Sequence, residues 1–303
     1  TERLVALAFK PSSRSQAVET DMITPALPGG TVHMREQLKL TLVQMRSSNT
    51  HAANIETVTC QIGAAAARGM EFICFPEVAG LFNRDRKSAV QMIVASAADP
   101  YLAACRKAAR TNKIWVHTGS TPVRAEDDER FLNRSHLLSP DGDIVAEYDK
   151  IHLFDVDLPD GKRIRESDRY APGKRALMPH TPWGPWGMTV CYDLRFAHLY
   201  REYAKAGATL MFVPSAFAVK TGQAHWEPLL RARAIENGCF IVASAQSGRH
   251  ADGSETYGHA MVIDPWGRVL TDMGNALGAV DLTLDMTQVA KTRAMIPSLD
   301  NER

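Results

Sequence analysis

The stretch LKLTLVQM (38–45) alternates apolar and polar residues, as a strand with one covered face does. Asn49 or Thr50 stands where it can cap a helix whose apolar positions Ile55, Val58, Ile62 and Ala65 recur at helical spacing up to Gly69. EFICF (71–75) is a short apolar run closed by Pro76. A helix is expected over 100–111, then a strand in IWVHTG (114–119), then strands around 131–139 and 143–149 joined by the turn sequence SPDG. Beyond Cys191 the pattern predicts a helix near 197–206, a strand TLMFV (209–213), a helix near 224–237 and a strand FIVASA (240–245). Two strands flank DPWG (264–267), and a last one lies near 279–283. Helices and strands that alternate in this way specify an α/β protein.

The chain also repeats itself. ARGMEFICFPEVAGLF (67–82) and KAGATLMFVPSAFAV (205–219) align without a gap, so that Gly69 matches Gly207 and Pro76 matches Pro214. Downstream, HLLSPDGDIV (136–145) resembles MVIDPWGRVL (261–270), with the same P-x-G turn. Two matches in the same order point to duplicated halves. The architecture expected is two sheets packed together with helices outside, and a site where equivalent strand ends meet.

Composition narrows the class. With 35 Lys plus Arg against 34 Asp plus Glu, the net charge of +1 lacks the basic footprint of nucleic-acid binding. No apolar run reaches the ~18–20 residues of a membrane span. Five widely spaced cysteines without a CxxC pair argue against a disulfide framework and for a reducing, cytoplasmic setting. The ten histidines do not cluster at ligand spacing, so neither a metal nor another cofactor is expected. Residues 1–33, rich in Ser, Pro and Gly, read as an irregular extension ahead of an organised domain over 34–303.

The residues that could do chemistry stand at the ends of apolar strands. Glu77 follows FICFP and is either a solvated rim residue or a carboxylate held in a cleft. Lys150 ends IVAEYDK and is either paired at the surface with Asp149 or Glu147, or turned inward. Glu166 lies in KRIRESD, ordinarily a solvated loop. Cys191 closes GMTV just before a turn, a place that suits a small core residue and a nucleophile equally well. Together they suggest a thiol activated by a helix end or by Lys150, with Glu77 moving its proton.

FPE with Glu77, YDKIHLFDVDLP with Lys150 and VCYDLRF with Cys191 resemble, in order and separation, the three signature segments of the nitrilase superfamily of carbon–nitrogen hydrolases. The resemblance covers 38–297. It implies a four-layer αββα sandwich and a Glu–Lys–Cys triad of Glu77, Lys150 and Cys191. It also implies a second glutamate, matched by Glu166, and an oxyanion site made by Lys150 and the Tyr192 N–H. Segments such as RESD, PSAF and SAQSGRH place the chain nearest the amidase branch, with its ω-amidases and deaminated-glutathione amidases; Ser247 stands where those amidases carry cysteine. The implied activity is hydrolysis of a small carboxylated amide through a thioester, by a homodimer or larger homo-oligomer. A true nitrilase, an N-carbamoyl amino acid hydrolase and a non-catalytic scaffold are the alternatives. Phe82, Arg195, Phe217 and His225 are candidate substrate contacts. Arg195 could equally pair with Asp193, and His225 and Glu227 could serve only at a helix start.

Overall fold

A computed structural model describes residues 34–157, 161 and 163–302; the expected extension over 1–33 lies outside the described residues. The elements come in two runs of the same kind. The first has the strand Gln37–Met45, helix His51–Ala67, strand Phe72–Cys74, helix Pro100–Asn112 and strand Trp115–His117, then the antiparallel pair Phe131–Leu138 and Ile144–Asp149. The second has Gly184–Met188, helix Ala197–Lys205, strand Leu210–Phe212, helix Val219–Asn237 and strand Phe240–Ala243, then Met261–Ile263 and Val269–Asp272. In each run the first three of these strands pair in parallel and the later ones antiparallel. The repeat extends to single bonds. In one turn the Gly142 N–H donates to Ser139 O at 2.9 Å, and in the other the Gly267 N–H donates to Asp264 O at 2.9 Å.

The first run lies in a nine-stranded sheet and the second in a six-stranded one. They meet face to face: Phe72 stacks on Phe212 at 5.4 Å and meets Trp186 edge-on at 5.1 Å. On the outer face of the first sheet, Val43, Ile73, Phe75 and Val116 pack on Val58 and Ile62 of one helix and Tyr101 and Cys105 of another. Tyr200, Tyr203, Trp226 and Leu230 cover the second sheet in the same way. The result is the expected helix–sheet–sheet–helix sandwich.

Three sequence expectations are corrected. The strand at 38–45 is exposed only at Lys39; from Leu40 on, the second sheet covers one side and helices the other. Its polar Thr41 and Gln44 are buried, with Thr41 Oγ1 donating to Asp281 at 2.7 Å and Gln44 Nε2 donating to Gly274 O at 2.9 Å. The expected strand 240–245 is two strands, since the chain leaves the second sheet after Ala243 and joins the first as Ala245–Arg249 beside Gln37–Met45. The helix expected from 224 begins at Val219, so His225 and Glu227 lie inside it rather than at its start.

Pro76, which closes Phe72–Cys74, is backed by Gly119 in the left-handed region at φ 68°; a Cβ there would lie 2.0 Å from Pro76 O. Gly119→Ala therefore drives a side-chain methyl into the backbone beneath Glu77. Urea denaturation should show a loss of about 3 kcal/mol, with activity falling in the folded fraction; an unchanged midpoint would refute this.

Candidate active site

Four chemically active side chains converge from four chain segments. Glu77 follows Pro76 in the first sheet, and Lys150 directly follows the strand Ile144–Asp149. Glu166 opens a short 3₁₀ turn after the small strand Arg163–Arg165, and Cys191 opens another, Cys191–Arg195, after Gly184–Met188. Lys150 Nζ lies 3.0 Å from Glu77 Oε1, and 3.0 and 2.9 Å from the two oxygens of Glu166. Lys150 and Glu77 are 2% and 5% exposed, so the surface readings of both are excluded.

Each carboxylate has a second grip. Glu77 accepts from Asn133 Nδ2 at 2.9 Å and from the Ala216 N–H at 2.8 Å. Ala216 lies two residues past Pro214, the repeat partner of Pro76, so the equivalent strand ends do meet. Glu166 accepts from the Phe154 N–H at 2.6 Å. Gln246 Nε2 donates to Glu77 O at 2.9 Å from the strand that crosses between sheets.

Cys191 sits in the left-handed region at φ 49°, uncommon for a residue with a side chain. Its N–H donates to Pro214 O at 3.0 Å. Buried Asp193 pins the turn from below. It accepts from the Val190 N–H at 2.8 Å, Tyr148 Oη at 2.7 Å and the His152 N–H at 2.9 Å, and it meets His152 Nδ1 at 2.7 Å.

The electrostatics differ from the sequence expectation of a thiol lowered by Lys150 or a helix end. Burial raises the Cys191 thiol well above its usual range and the Glu77 carboxylate adds to this, while Lys150 opposes it without prevailing. The resting group is a thiol beside the Glu77 carboxylate and the Lys150 ammonium. Burial alone would lower the Lys150 ammonium, but Glu166, Glu77 and Cys191 raise it well above the ordinary lysine value. Burial raises the Glu166 carboxyl; Lys150 opposes this and Glu77 adds to it.

These groups open on a cavity of about 560 Å³, lined by all four, by Tyr192, Phe82 and Phe217 among the expected residues, and by Asn133 and Arg169. That size suits a small organic ligand. Arg195 and His225 are not part of this lining. They face each other at 3.3 Å, with Arg195 over the rings of Tyr192 and Phe217. Arg195 therefore pairs with neither the cavity nor Asp193, whose oxygens are taken up by other donors. Trp226 is core, its indole donating to His259 O at 2.8 Å.

A profile of the carbon–nitrogen hydrolase family matches residues 39–294. The chain belongs to the carbon–nitrogen hydrolase family. It is 44% identical over 200 residues to a deaminated glutathione amidase of Yersinia enterocolitica, covering 65% of this chain and 70% of that one. It is 35% identical over 263 residues to a deaminated glutathione amidase of Synechocystis sp., covering 86% and 96%. The solved Caenorhabditis elegans NitFhit structure matches with a TM-score of 0.83 at 34% identity over 89% of this chain, which spans 66% of that longer protein. This hydrolase is thus an enzyme of the family that the three segments implied, an amidase as RESD, PSAF and SAQSGRH implied, and shares the fold of these relatives. Among its described residues no helix is long and apolar enough to cross a membrane.

Sequence reasoning missed Asn133, Asp193 and Gln246 as parts of the hydrolase's site. Asn133 had a signal. In FLNRS it takes a position that strand alternation assigns to the covered face along with Phe131, and a polar residue there needs a partner.

Removing Lys150 leaves Glu77 and Glu166 buried without a cation, and burial, no longer opposed by the ammonium, raises the Glu166 carboxyl further toward the neutral acid. The destabilising effect of the Glu166 carboxyl is absent below its unfolded pKa of ~4.3 and grows as pH rises above it. Lys150→Met should cost about 3–5 kcal/mol at pH 8 and much less at pH 5, measured by chemical denaturation. A pH-independent deficit would rule out this account.

Proposed function

We propose that the hydrolase cleaves small carboxylated amides, of the ω-amide or deaminated-glutathione type, with Cys191 as nucleophile. The observation that carries this reading is the convergence of Glu77, Lys150 and Cys191 at one wall of the cavity. Two relatives named deaminated glutathione amidase support the choice of substrate.

Glu77 takes the proton of the Cys191 thiol as sulfur attacks the amide carbonyl carbon. A raised thiol pKa makes this transfer part of the step rather than a preceding ionisation, and it calls for a base within reach. The carbonyl electrons move to oxygen, and the Lys150 ammonium and the Tyr192 backbone N–H hold the oxyanion. Collapse expels the nitrogen, which receives the proton from Glu77 and leaves as ammonia or an amine. A thioester remains on Cys191. Glu77 then deprotonates water, hydroxide adds to the thioester, and the acid departs with the thiol restored. Glu166 keeps Lys150 charged and oriented throughout.

Cys191→Ala should abolish turnover, and Lys150→Ala, which removes an oxyanion donor, should lower kcat by at least ~10²–10³. The measurement is ammonia or amine release from deaminated glutathione, 2-oxoglutaramate, aliphatic amides, nitriles and carbamoyl amino acids. Turnover confined to nitriles or carbamoyl compounds overturns the substrate class; activity retained in Cys191→Ala overturns the nucleophile.

A further inference from the structure

Arg169 has no part in the chemistry above, yet it is built into the same cavity. It stands three residues after Glu166, and its N–H donates to Glu166 O at 3.0 Å while its carbonyl accepts from the Phe131 N–H at 3.0 Å. The guanidinium carbon lies 5.8 Å from the Phe131 ring centre and 5.5 Å from that of Tyr170. These rings support the cation, but neither residue accepts a hydrogen bond from its Nε or Nη2. Nε and Nη2 are shielded from solvent and donate to no described group. Buried donors are almost always satisfied, and a charged pair left idle at a cavity wall points to a ligand that satisfies them.

Competing explanations for the arginine are removed by its neighbours. Of the other arginines lining the cavity, Arg165 is spent, with Nη1 on Val156 O and Ile164 O at 2.9 and 2.8 Å and Nη2 on Asp157 at 2.8 and 2.9 Å. Arg84 is mostly exposed and lies 3.6 Å from Asp252. Asp85 is near enough to feel the Arg169 charge, but its carboxylate caps the helix Arg86–Met92 and accepts from Ser88 Oγ at 2.7 Å. The idle pair, Nε and Nη2, is one edge of the guanidinium. Arg134 uses that same edge to hold both oxygens of Asp149, at 2.7 and 2.9 Å.

We propose that Arg169 is the receptor for the substrate's carboxylate and sets which small amides are presented to Cys191; this rests on the amide-hydrolase reading above. A planar fork of donors suits a carboxylate held through both oxygens, and the aromatic rings fix its orientation. The 3₁₀ turn Glu166–Asp168, which Arg169 directly follows, couples recognition to the catalytic cluster through three residues of chain.

The test reads recognition in two ways. Glutarate should slow alkylation of Cys191 by iodoacetamide in the wild type. In Arg169→Gln and Arg169→Lys, the glutarate concentration giving half protection should rise by roughly 10²-fold. The preference for glutaramate over pentanamide in kcat/KM should fall by a similar factor. Arg169→Lys keeps the buried charge while losing the fork, and thermal melting establishes that each variant tested is folded. Glutarate protection that is missing from the wild type, or unchanged in folded variants, overturns the receptor. So does an equal loss of kcat/KM for both amides, which marks a purely structural role. A wild type that hydrolyses no amide overturns the proposed function instead, and the protection assay still decides on Arg169.

Discussion

The Lys150 ammonium buried between Glu77 and Glu166 is the constraint on which the rest depends. A charge removed from water must be matched by opposite charge at hydrogen-bonding distance, and one cation here faces two carboxylates. Each of the three arrives from a different part of the chain, so the cluster exists only when the first sheet, its hairpin and the small strand before Glu166 are all in place. The excess negative charge is spread over neutral donors: Asn133, and the backbone N–H groups of Ala216 and Phe154. The Ala216 N–H comes from the second half of the duplicated chain. The charge cluster therefore joins the halves chemically, where Phe72 and Phe212 join them by packing.

Cys191 is supported in the opposite manner. Cys191 has no fixed charge in the resting state, and its environment favours the neutral thiol. What holds it is backbone: an unusual φ, a bond from its N–H to Pro214 O, and an aspartate whose oxygens are taken up beneath it. A left-handed residue with a side chain persists only where its surroundings over-determine it, and the Asp193 network does that here. Burial and the Glu77 carboxylate keep the thiol neutral, with the Lys150 ammonium already beside it.

Much of this was legible in the chain. The period-2 and helical runs located nearly all the major elements, and the Gly69/Gly207 and Pro76/Pro214 matches foretold a two-sheet sandwich. Glu77, Lys150 and Cys191 could be singled out because each is a polar or reactive residue ending an apolar run. Glu166 was reached only through the resemblance, since a glutamate among Arg and Asp residues carries no local sign of burial. The Arg195 and His225 candidates failed for a related reason. Spacing along a helix says which side chains are neighbours, whereas facing a cavity depends on what is packed opposite.

The sequence by itself determined the alternation of elements, the duplication and the three segments that mark a carbon–nitrogen hydrolase, because these are local or periodic properties of the chain. Tertiary structure decided that the strand Gln37–Met45 is covered on both faces from Leu40 on, that the chain changes sheets after Ala243, that the Cys191 thiol is raised rather than lowered, and that Arg169 Nε and Nη2 meet no acceptor among the described residues at the cavity wall. Each of these depends on groups distant in the chain. Burial and the sum of nearby charges set a residue's chemistry, and neither exists until the sheets have closed on one another.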